Sequence, residues 1–574
     1  MLNFYDFEVF EKDWLVVVIN PAEKTKTVLV NDRDGLSRLY EERKGQIFIG
    51  YNNAHYDQYI FKGLLLGLNP KWINDQIIKH DRPGWSISRE FQKIPMINYD
   101  CMLRNDRGLK ALEAYMGNDI RETTVPFDID RKLTQHELDE VIYYCTHDVE
   151  QTMEVFARRK SEFTAKLDLV NMFNLPLSYL SKTGAQLTAI VLGARKPKAP
   201  RGDEFDLELL DCMQLGPYDW VRRWYLDPKN QDYDAELKFD IAGCPHVCKW
   251  GGIHGALPKY SAEGYLINVD VESYYPSEMI VHGFLSRNVS DPGKFSWIKS
   301  HRLELKHAHD PRQKSLKVVI NGTYGASKDP TNALYDPKQA NQVCINGQLM
   351  LIDLMWHLTS GCGAEIIQSN TDGVLVKMPD GYHGGPDAFY DAVDDIAAEW
   401  ESRTGMALEF DEYAKVYQKD VNNYILVAED GHTKGKGAYV KELSELDADM
   451  PVVNRALMDY MVHGVPPEDT INAARDLIDF QRVVKLSSKF LYCTYGGVRM
   501  QDKCFRVFAS KRHGDGAIGR VKREGGKSEK FASTSEHVFI DNTDVHGKPA
   551  PDYLDRRWYI DLAHERLKQF GVLK

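Results

Sequence analysis

The chain has 574 residues, a formal net charge of −12 and a hydrophobic fraction of 43%. This length predicts several domains, and no run approaches the roughly 20 apolar residues of a membrane helix, so a membrane protein is not expected. The first ten residues lack the basic start and cleavage site of a secretory signal, and nine scattered cysteines suit reduced thiols. We therefore expect a cytoplasmic protein. Its negative charge argues against nonspecific polyanion binding by the whole surface, but not against a local basic groove.

Residues 1 to about 165 are predicted to form one α/β domain. The segments LNFYDFEV, DWLVVVIN and KTVLVN predict three strands, and IFIG at 47–50 predicts a fourth, buried strand. A helix is expected to begin near Tyr56. A second, with apolar residues at helical spacing, is expected from Gln135 to about Lys160.

The rest of the chain shows a linker and three further patterns. The stretch ARKPKAPRGDE at 194–204 predicts a linker or exposed loop. Further on, GYLINVDVESYYP predicts a strand, a turn and a helix, and the patterns at 294–309 and 312–326 predict an antiparallel helical hairpin. The stretch AEIIQSNTDGVLVKM at 364–378 predicts a β-hairpin with Asp372-Gly373 as its turn.

Acidic residues recur in the first domain at spacings that suit metal binding. Asp6 and Glu8 project from one face of a strand, Asp57 lies where a strand gives way to a helix, and Tyr144 and Asp148 share one helical face. An exposed strand face is the ordinary alternative. Together, the four carboxylates could hold two Mg²⁺ ions while Tyr144 orients a water, the arrangement for phosphodiester hydrolysis.

A second set of residues suits nucleotide binding. Asp270 ends an apolar strand, and the ring of Tyr275 after the turn could lie against a sugar. Lys317, Asn321 and Tyr324 share one face of a helix, where they could contact phosphates and a base. On the facing helix, Arg302 and Lys306 could share a triphosphate. A helix-capping turn at Ser277 and a solvated basic face are the alternatives.

Two other segments leave their interpretation open. CPHVCKWGGIH at 244–254 offers Cys and His side chains, but the spacing fits no common zinc signature, so a structural role is favoured. Residues 501–530 contain nine Lys or Arg against four Asp or Glu, with Phe505 and Phe508 interleaved. That composition suits a nucleic-acid backbone with stacking partners and equally suits a solvated, loop-rich face.

These residues resemble the motifs of a known family. The order D-x-E, N-x-x-x-D (Asn53 to Asp57) and Y-x-x-x-D (Tyr144 to Asp148) is similar to the exonuclease motifs of proofreading 3′-5′ exonucleases. D-x-x-S-x-Y-P, K-x-x-x-N-x-x-Y-G and T-D, which follow in that order, resemble motifs A, B and C of family B DNA polymerases. The resemblance covers residues 1 to about 425, and the motif spelling looks most like the compact phage enzymes of the phi29 group.

The resemblance implies an α/β and α+β multidomain fold, with an RNase H-like exonuclease domain followed by a right-hand polymerase of palm, fingers and thumb. The implied domains are the exonuclease domain at 1–165, a linker and start of the palm at 166–260, the palm at 261–292 (motif A), the fingers hairpin at 293–330, the palm at 331–430 (motif C), and a thumb and C-terminal DNA-binding region at 431–574.

The resemblance also implies ligands for two Mg²⁺ ions per active site, for which Mn²⁺ can substitute. The implied metal ligands are Asp6, Glu8, Asp57 and Asp148 in the exonuclease site and Asp270, Val271 and Asp372 in the polymerase site. The implied DNA contacts are Asn53, Tyr56, Trp250, Lys419 and Tyr424. The implied nucleotide contacts are Tyr275, Arg302, Lys306, Lys317, Asn321 and Tyr324.

The sequence departs from the family pattern at a few positions. Asn370 stands where relatives carry the first acid of motif C. We expect loss of this charge to weaken metal affinity somewhat without abolishing activity. Lys249 stands at the aromatic position of the motif between the domains, with Trp250 beside it. Arg121 is only a loose match for the lysine that supports catalysis in phage exonucleases.

The implied function is template-directed DNA synthesis with 3′-5′ proofreading, for a phage or mobile-element genome. Asp270 to Lys317 is 47 residues and Lys317 to Asp372 is 55, too short for the insertions of protein-primed members, so a nucleic-acid primer is expected. Expected partners are primer-template DNA, dNTPs and replisome proteins such as a helicase and a single-strand binding protein. The protein itself is expected to be a monomer. The alternatives are an exonuclease whose polymerase half only binds DNA, and a non-enzymatic DNA-binding scaffold.

Overall fold

The structure, a computed structural model, describes residues 1–437 and 439–572. These residues form two compact units, each built from several stretches of chain. Unit 1 consists of Met1–Thr183, Leu443–Pro451 and Ala474–Trp558, and unit 2 of Gly184–Glu442, Val452–Ala473 and the chain from Tyr559 on. The region 431–574, predicted as thumb and DNA-binding region, is therefore divided between the units. None of the described helices combines the length and apolar character needed to cross a membrane.

Unit 1 begins with a mixed five-stranded sheet in the order β3-β2-β1-β4-β5. Its strands are β1 (Leu2–Val9), β2 (Trp14–Asn20), β3 (Thr25–Val30), β4 (Ile47–Gly50) and β5 (Ile97–Asp100). Strand β1 is antiparallel to β2 and parallel to β4. The β-branched run of β2 favours a strand in the middle of a packed sheet. The first four strands confirm the sequence prediction.

This part of unit 1 also contains several helices, of which the second, third and fifth contact strand β1. They are α1 (Arg33–Arg43), α2 (Asp57–Leu65), α3 (Pro70–Ile78), α4 (Leu109–Met116), α5 (Gln135–Arg158) and α6 (Lys160–Met172). Helix α5 begins with a capping box, in which the Glu137 backbone N–H donates to Thr134 Oγ1 and the Thr134 backbone N–H to Glu137 Oε2, at 3.3 and 2.8 Å. Because α5 packs against β1 and β2, its polar residues reach the acids of β1.

The C-terminal part of unit 1 contains two small antiparallel sheets, ordered β15-β18-β21 and β17-β16-β19-β20. Their strands are β15 (Arg482–Lys485), β16 (Phe490–Tyr495), β17 (Val498–Arg499), β18 (Cys504–Ala509), β19 (Ile518–Lys522), β20 (Ser528–Lys530) and β21 (Val538–Ile540). Phe505 and Phe508 of β18 are each only 1% exposed. Of the two interpretations left open for residues 501–530, stacking of these two rings on nucleic acid does not hold, because the rings lie in the core.

A buried arginine attaches β18 to helix α4. The Arg506 side chain is fully buried, and its guanidinium donates to the carbonyl oxygens of Ala114 and Asn118 at 2.8 and 2.9 Å. It also donates to Gln481 Oε1 at 3.0 Å and to the Thr543 carbonyl oxygen at 2.8 Å. Burial lowers the pKa of Arg506 to about 10. Such a buried charge is tolerated because its donors are satisfied.

Unit 2 is organised around a nine-stranded sheet in the order β14-β13-β12-β9-β11-β10-β8-β7-β6. The strands are β6 (Glu236–Ile241), β7 (Cys244–Lys249), β8 (Gly252–Ala256), β9 (Tyr260–Val271), β10 (Glu365–Asn370), β11 (Gly373–Lys377), β12 (Leu408–Asp420), β13 (Asn423–Val427) and β14 (Thr433–Lys436). The β10–β11 hairpin confirms the predicted one, but its two loop residues are Thr371 and Asp372 rather than Asp372 and Gly373, because Gly373 pairs with Asn370 as the first residue of β11.

The helices of unit 2 include the two predicted as a hairpin. They are α7 (Gly184–Val191), α8 (Trp220–Leu226), α9 (Tyr274–Val281), α10 (Pro292–His307), α11 (Gln313–Lys328), α12 (Pro337–Cys362), α13 (Gly385–Thr404), α14 (Pro451–His463), α15 (Pro467–Ala473) and α16 (Arg556–Gln569), of which α14 and α16 begin with residues of unit 1. Helices α10 and α11 pack together, and the apolar α12 is buried along most of its length.

The fold-class prediction of an α/β and α+β multidomain chain is confirmed. Unit 1 has the strand order 3-2-1-4-5 with helices against a mixed sheet, the RNase H-like arrangement. Unit 2 combines a largely antiparallel sheet with helices in its core cluster. The two units position two separate groups of acidic residues, each at strand ends or on helices packed against a sheet.

Candidate active sites

The first group of acids lies in unit 1 on strand β1. Asp6 and Glu8 project from the same face, and the residue Glu8 is only 7% exposed. Asp57, the first residue of α2, is also buried and accepts a hydrogen bond from the Phe7 backbone N–H at 3.2 Å. Among the residues the structure describes, the Glu8 carboxylate has no hydrogen-bond or ion-pair partner. Buried carboxylates without a cation are costly, so these side chains fit divalent-cation ligands.

The electrostatics of this site reflect burial and crowding of like charges. Burial, together with the charge of Asp57, raises the pKa of Asp6 well above its usual value, and burial with Asp148 does the same for the pKa of Glu8. Burial raises the pKa of Asp57 to about 7 and that of Asp148 to about 6. The four predicted ligands are therefore close enough to disfavour one another's charge, as expected where metal ions would compensate them.

Helix α5 brings Tyr144 and Asp148 to the same site, where they meet Lys110 of α4. The Lys110 ammonium donates to Asp148 Oδ1, lies 3.1 Å from Glu113 Oε1 and lies 4.5 Å from the centre of the Tyr144 ring. Burial lowers the pKa of Lys110, but the charges of Asp148 and Glu113 outweigh it and leave the pKa raised. The sequence did not predict Lys110 as a cation of this site.

Arg121, the loose candidate for the supporting cation, lies elsewhere in unit 1. Its guanidinium pairs with Asp119 Oδ2 at 2.7 Å and stacks 5.0 Å from the Tyr143 ring centre, on the exposed side of α5. The only sequence signal for Lys110 was a lysine three residues before a glutamate on an otherwise apolar helical segment. That pattern occurs widely on solvated helices.

The two predicted primer contacts of unit 1 have internal partners. Asn53 is fully buried, and its amide exchanges hydrogen bonds with the Asn98 amide at 3.0 and 3.2 Å. This position corrects the predicted DNA contact, because the amide is used to fix the loop before α2. Tyr56 is partly exposed, and its hydroxyl donates to Asn74 Oδ1 at 2.8 Å.

The second group of acids lies in unit 2, where strands β9, β10 and β11 end together. Asp270 pairs in register with Gly373, and the Val271 backbone N–H donates to the Asp372 carbonyl oxygen at 2.8 Å. The Asp270 and Asp372 side chains therefore extend from adjacent backbone positions. Burial and then the negative charge of Asp270 raise the pKa of Asp372. Two acidic side chains from adjacent strands are thus available to one cation site.

Gly373 makes this approach of strands possible. A Cβ atom at position 373 would lie 1.9 Å from Asp270 Oδ1 and 2.9 Å from the Val269 carbonyl oxygen. No side chain can occupy that space while Asp270 keeps its position. The glycine is therefore required by the side chain of its cross-strand neighbour, an explanation that its sequence position alone did not reveal.

Asn370, which replaces an acid, is tied to the hairpin and to a histidine. Its Oδ1 atom accepts a hydrogen bond from the Thr371 backbone N–H at 3.1 Å and lies 3.2 Å from His254 Nδ1. Burial lowers the pKa of His254. The amide carbonyl thus fixes the turn that presents Asp372, a role that needs no negative charge.

Two polar side chains hold Asp270 from either side. Asn268 Nδ2 donates to Asp270 Oδ2 at 2.7 Å, and Lys434 Nζ donates to the same oxygen at 3.0 Å. Lys434 belongs to β14 and also lies 3.6 Å from Asp411 Oδ2. Burial lowers its pKa, but the charge of Asp270 outweighs this and raises the pKa above the usual value. Sequence reading did not identify this cation, which reaches the site from the far edge of the sheet.

The predicted nucleotide contacts lie around helices α9, α10 and α11. The rings of Tyr275 and Tyr324 are 4.4 Å apart, at an angle of 47°, and both are partly exposed. Lys317 and Asn321 lie on the exposed face of α11 that Tyr324 shares. On α10, Lys306 is exposed and Arg302 is half-buried. The structure therefore brings Tyr275 and Tyr324 together and leaves the cations of α10 and α11 accessible.

Two of the three predicted DNA contacts of unit 2 are core residues instead. The Trp250 ring is 1% exposed, and its Nε1 donates to the Asn230 carbonyl oxygen at 2.9 Å. Tyr424 is 7% exposed, in a cluster with strands β9 to β13. These positions correct the predicted contacts, because burying an aromatic ring here stabilises the sheet. Lys419 is partly exposed, with its ammonium 5.2 Å from the Tyr439 ring centre.

The Cys and His residues at 244–254 have structural roles. Cys244, Cys248 and His246 are buried, and His246 Nδ1 lies 2.8 Å from the Cys244 carbonyl oxygen. Burial lowers the pKa of His246 to about 4. Within residues 1–437 and 439–572, the single group of three candidate metal ligands is Asp6, Glu8 and Cys145. The burial and hydrogen bonding of Cys244, His246 and Cys248 favour the structural interpretation of these three residues.

Comparison with known proteins gives related sequences at low identity. The chain is 23% identical over 339 residues to DNA polymerase 1 of Sulfurisphaera ohwakuensis, covering 56% of this chain and 34% of that protein. It is 25% identical over 210 residues to DNA polymerase 1 of Saccharolobus solfataricus, covering 36% of this chain and 22% of that protein. The chain thus spans about a third or less of the length of these curated relatives. No family model matches the chain.

Among solved structures, the chain is similar to the family B DNA polymerase of the archaeon Pyrobaculum calidifontis. The match has 14% sequence identity and a TM-score of 0.42, and it covers 99% of this chain and 78% of that one.

Proposed function

We propose that this chain is a DNA-directed DNA polymerase of family B that also has 3′-5′ exonuclease activity. The observation that best supports it is in unit 2, where adjacent strand ends bring Asp270 and Asp372 together at one site. The same two acids fall in the motifs that resemble the family, and both curated relatives are DNA polymerases by name. The assignment of residues 261–292 and 331–430 as palm and 293–330 as fingers belongs to this proposal.

In the polymerase site, Asp270, Asp372 and the backbone of Val271 are the proposed metal ligands. Burial and then the like charge of Asp270 raise the pKa of Asp372, and a divalent cation would relieve the repulsion between the two carboxylates. Two Mg²⁺ ions bound there would activate the primer 3′ oxygen and neutralise charge on the triphosphate. Asn268 holds the Asp270 carboxylate in place, and Asn370 holds the turn that presents Asp372.

Helices α9 to α11 would bind the incoming nucleotide. Lys317, Lys306 and Arg302 are the proposed triphosphate contacts, and Asn321 and Tyr324 border the base. Tyr275, whose ring packs on Tyr324, would exclude ribonucleotides because a 2′-hydroxyl would meet its ring. Tyr275→Ala should then incorporate rNTPs more readily relative to dNTPs. Unchanged sugar discrimination in single-nucleotide insertion assays would refute that role.

In unit 1, Asp6, Glu8, Asp57 and Asp148 are the proposed ligands of the exonuclease site. Metal ions bound by them would lower the pKa of the attacking water. Tyr144 would orient that water, and Lys110 would hold both Asp148 and the Tyr144 ring in position. The buried, unpartnered Glu8 carboxylate is the feature of this site that most favours a bound cation.

The biological setting is proposed from the motif spelling and spacing. The short distances between the polymerase motifs favour extension of a nucleic-acid primer by a compact, phage-type enzyme that replicates a phage or mobile-element genome. Primer-template DNA and dNTPs would be its substrates. Replisome proteins would be its partners in the cytoplasm of the cell, and the chain would act as a monomer.

Two variants of the full chain test the proposal. Primer extension with Mg²⁺ and four dNTPs, and degradation without dNTPs, are read from the same labelled primer. Asp6→Ala should extend but not degrade, whereas Asp372→Ala should degrade but not extend. Degradation by the wild type without extension would favour an exonuclease with an inactive polymerase half. DNA binding without either reaction would favour a scaffold, and both outcomes would overturn the proposal.

A further inference from the structure

The exonuclease acids of unit 1 have a sulfur atom beside them that Mg²⁺ chemistry does not explain. Cys145 follows Tyr144 on α5 and is fully buried. Its Sγ atom lies 3.5 Å from the Asp6 carbonyl oxygen and 3.7 Å from Asp6 Oδ2. Mg²⁺ takes oxygen ligands, whereas thiolates select softer cations such as Zn²⁺. A thiol among carboxylates therefore changes which metals the site can accept.

The three donor atoms are close enough to share one ion. One ligand atom each from Asp6, Glu8 and Cys145 lies within 4.8 Å of the other two. Ligand atoms of a tetrahedral zinc site lie about 2.0–2.3 Å from the metal and hence roughly 3.5 Å from one another. The present separations, at most 4.8 Å, need to contract by at most about 1.3 Å, which rotation of the two carboxylate side chains can supply.

A second feature of the site independently indicates a ligand. Glu8 is 7% exposed, its carboxylate lies beside the Asp6 and Cys145 donor atoms, and within the described residues it has no hydrogen-bond or ion-pair partner. By contrast, Asp148 accepts a hydrogen bond from the Lys110 ammonium, and Asp57 accepts one from the Phe7 backbone N–H. The acids that remain available are therefore the two that face the thiol.

We propose that Asp6, Glu8 and Cys145 form a site for one thiophilic divalent cation of the Zn²⁺ or Cd²⁺ class, which competes with Mg²⁺ at the exonuclease acids. Binding would form a metal–sulfur bond and release the thiol proton to solvent, with no change in oxidation state. Exonuclease inhibition by such a cation rests on the function proposed above. The binding itself does not.

The test is a titration of the reduced full-length chain with Cd²⁺, followed by the ultraviolet charge-transfer absorption of the cadmium–thiolate bond. The wild type should bind one equivalent with this absorption. Cys145→Ser should lose it, while Cys362→Ser, a buried cysteine of α12, should keep it. Persistence of the band in Cys145→Ser, or its absence from the wild type, would overturn the proposal.

A second variant keeps the test decisive if Cys145→Ser does not fold. Glu8→Gln retains the thiol but removes a charged ligand, so Cd²⁺ affinity should fall at least about 10-fold, since even loss of outer-shell partners costs that much. Unchanged affinity in Glu8→Gln would overturn the three-ligand site. Circular dichroism of each variant verifies folding before titration.

Degradation assays separate this inference from the proposed function. Titration with Cd²⁺ in the presence of Mg²⁺ should reduce primer degradation by the wild type in proportion to the occupancy that the absorption band reports, with nearly complete loss at saturation. Mg²⁺-dependent degradation without a Cd²⁺ band would leave the exonuclease proposal standing and overturn the thiophilic site. A Cd²⁺ band without any degradation in Mg²⁺ would support the thiophilic site and overturn the exonuclease.

Discussion

Gly373→Ala is a small change that should disable the proposed polymerase site without touching a predicted ligand. The added Cβ would lie 1.9 Å from Asp270 Oδ1, and contacts of real Cβ atoms closer than 3.0 Å are essentially never seen. The carboxylate must therefore retreat by at least 1.1 Å, the difference between these distances. The same Cβ would lie 2.9 Å from the Val269 carbonyl oxygen, so a backbone shift cannot relieve the clash without a cost in stability.

The size of the effect follows from the precision that phosphoryl transfer requires. A misplacement of about 1 Å can cost about 10²-fold in rate. Overpacking of a core position costs typically about 1–3 kcal/mol. We therefore expect single-nucleotide insertion by Gly373→Ala to fall about 100-fold, with a modest loss of stability. Degradation, which depends on unit 1, should be retained.

The assay measures insertion under single-turnover conditions and degradation of the same primer without dNTPs. Gly45→Ala is the matched control, because a Cβ at position 45 meets no atom within 4 Å and its backbone needs no positive φ. It should retain both reactions. Insertion by Gly373→Ala within about threefold of the wild type would show that the Asp270 position is not critical, which the 10²-fold expectation excludes.

Three further predictions concern unit 1. Lys110→Met should reduce degradation about 10²-fold, as loss of a charge-positioning group does, while Arg121→Met should stay near wild type; equal rates for the two variants would contradict the role of Lys110. Arg506→Met should lower the free energy of unfolding by about 3–5 kcal/mol, because it leaves several buried carbonyl oxygens and Gln481 Oε1 without their donor, at roughly 1–3 kcal/mol each; a urea titration with exposed Arg499→Met as control measures this, and a loss below about 1 kcal/mol would refute it. In EDTA, the protein should become less stable as the pH rises from 5 to 8. Asp57 and Asp148, with pKa values raised to about 7 and 6, favour folding only while they are protonated, and that stability is lost as the pH passes through these values. A thermal unfolding midpoint that rises over this pH range would contradict the assignment.

Local patterns were sufficient to predict the elements that position both sites. The β-branched run in WLVVVIN and the apolar, aromatic-rich LNFYDFEV indicate strands, and the T-D-G turn between apolar runs indicates the β10–β11 hairpin that presents Asp372. Such features depend on residues close in sequence, where backbone propensity and side-chain period act directly. The acids of these elements were therefore placed correctly on strands, helices and turns.

The cations and the buried residues were harder to predict, because their roles depend on tertiary contacts. Lys110 and Lys434 acquire their partners from other elements, and a lysine on a helix or an edge strand is usually solvated. Trp250 and Asn53 were expected at DNA, but the first fills a core and the second pairs with Asn98 of β5. Composition alone cannot tell a ring or an amide that faces a ligand from one that faces the interior.

In the proposed function, Asp270 and Asp372 hold the metal ions of DNA synthesis. Crystals of the chain with primer-template DNA, a non-hydrolysable dNTP and Mn²⁺ would test it by anomalous scattering from manganese. We predict manganese peaks in contact with carboxylate oxygens of both Asp270 and Asp372, beside the triphosphate. Peaks held by other residues, or a nucleotide bound with no metal at these two carboxylates, would contradict the account.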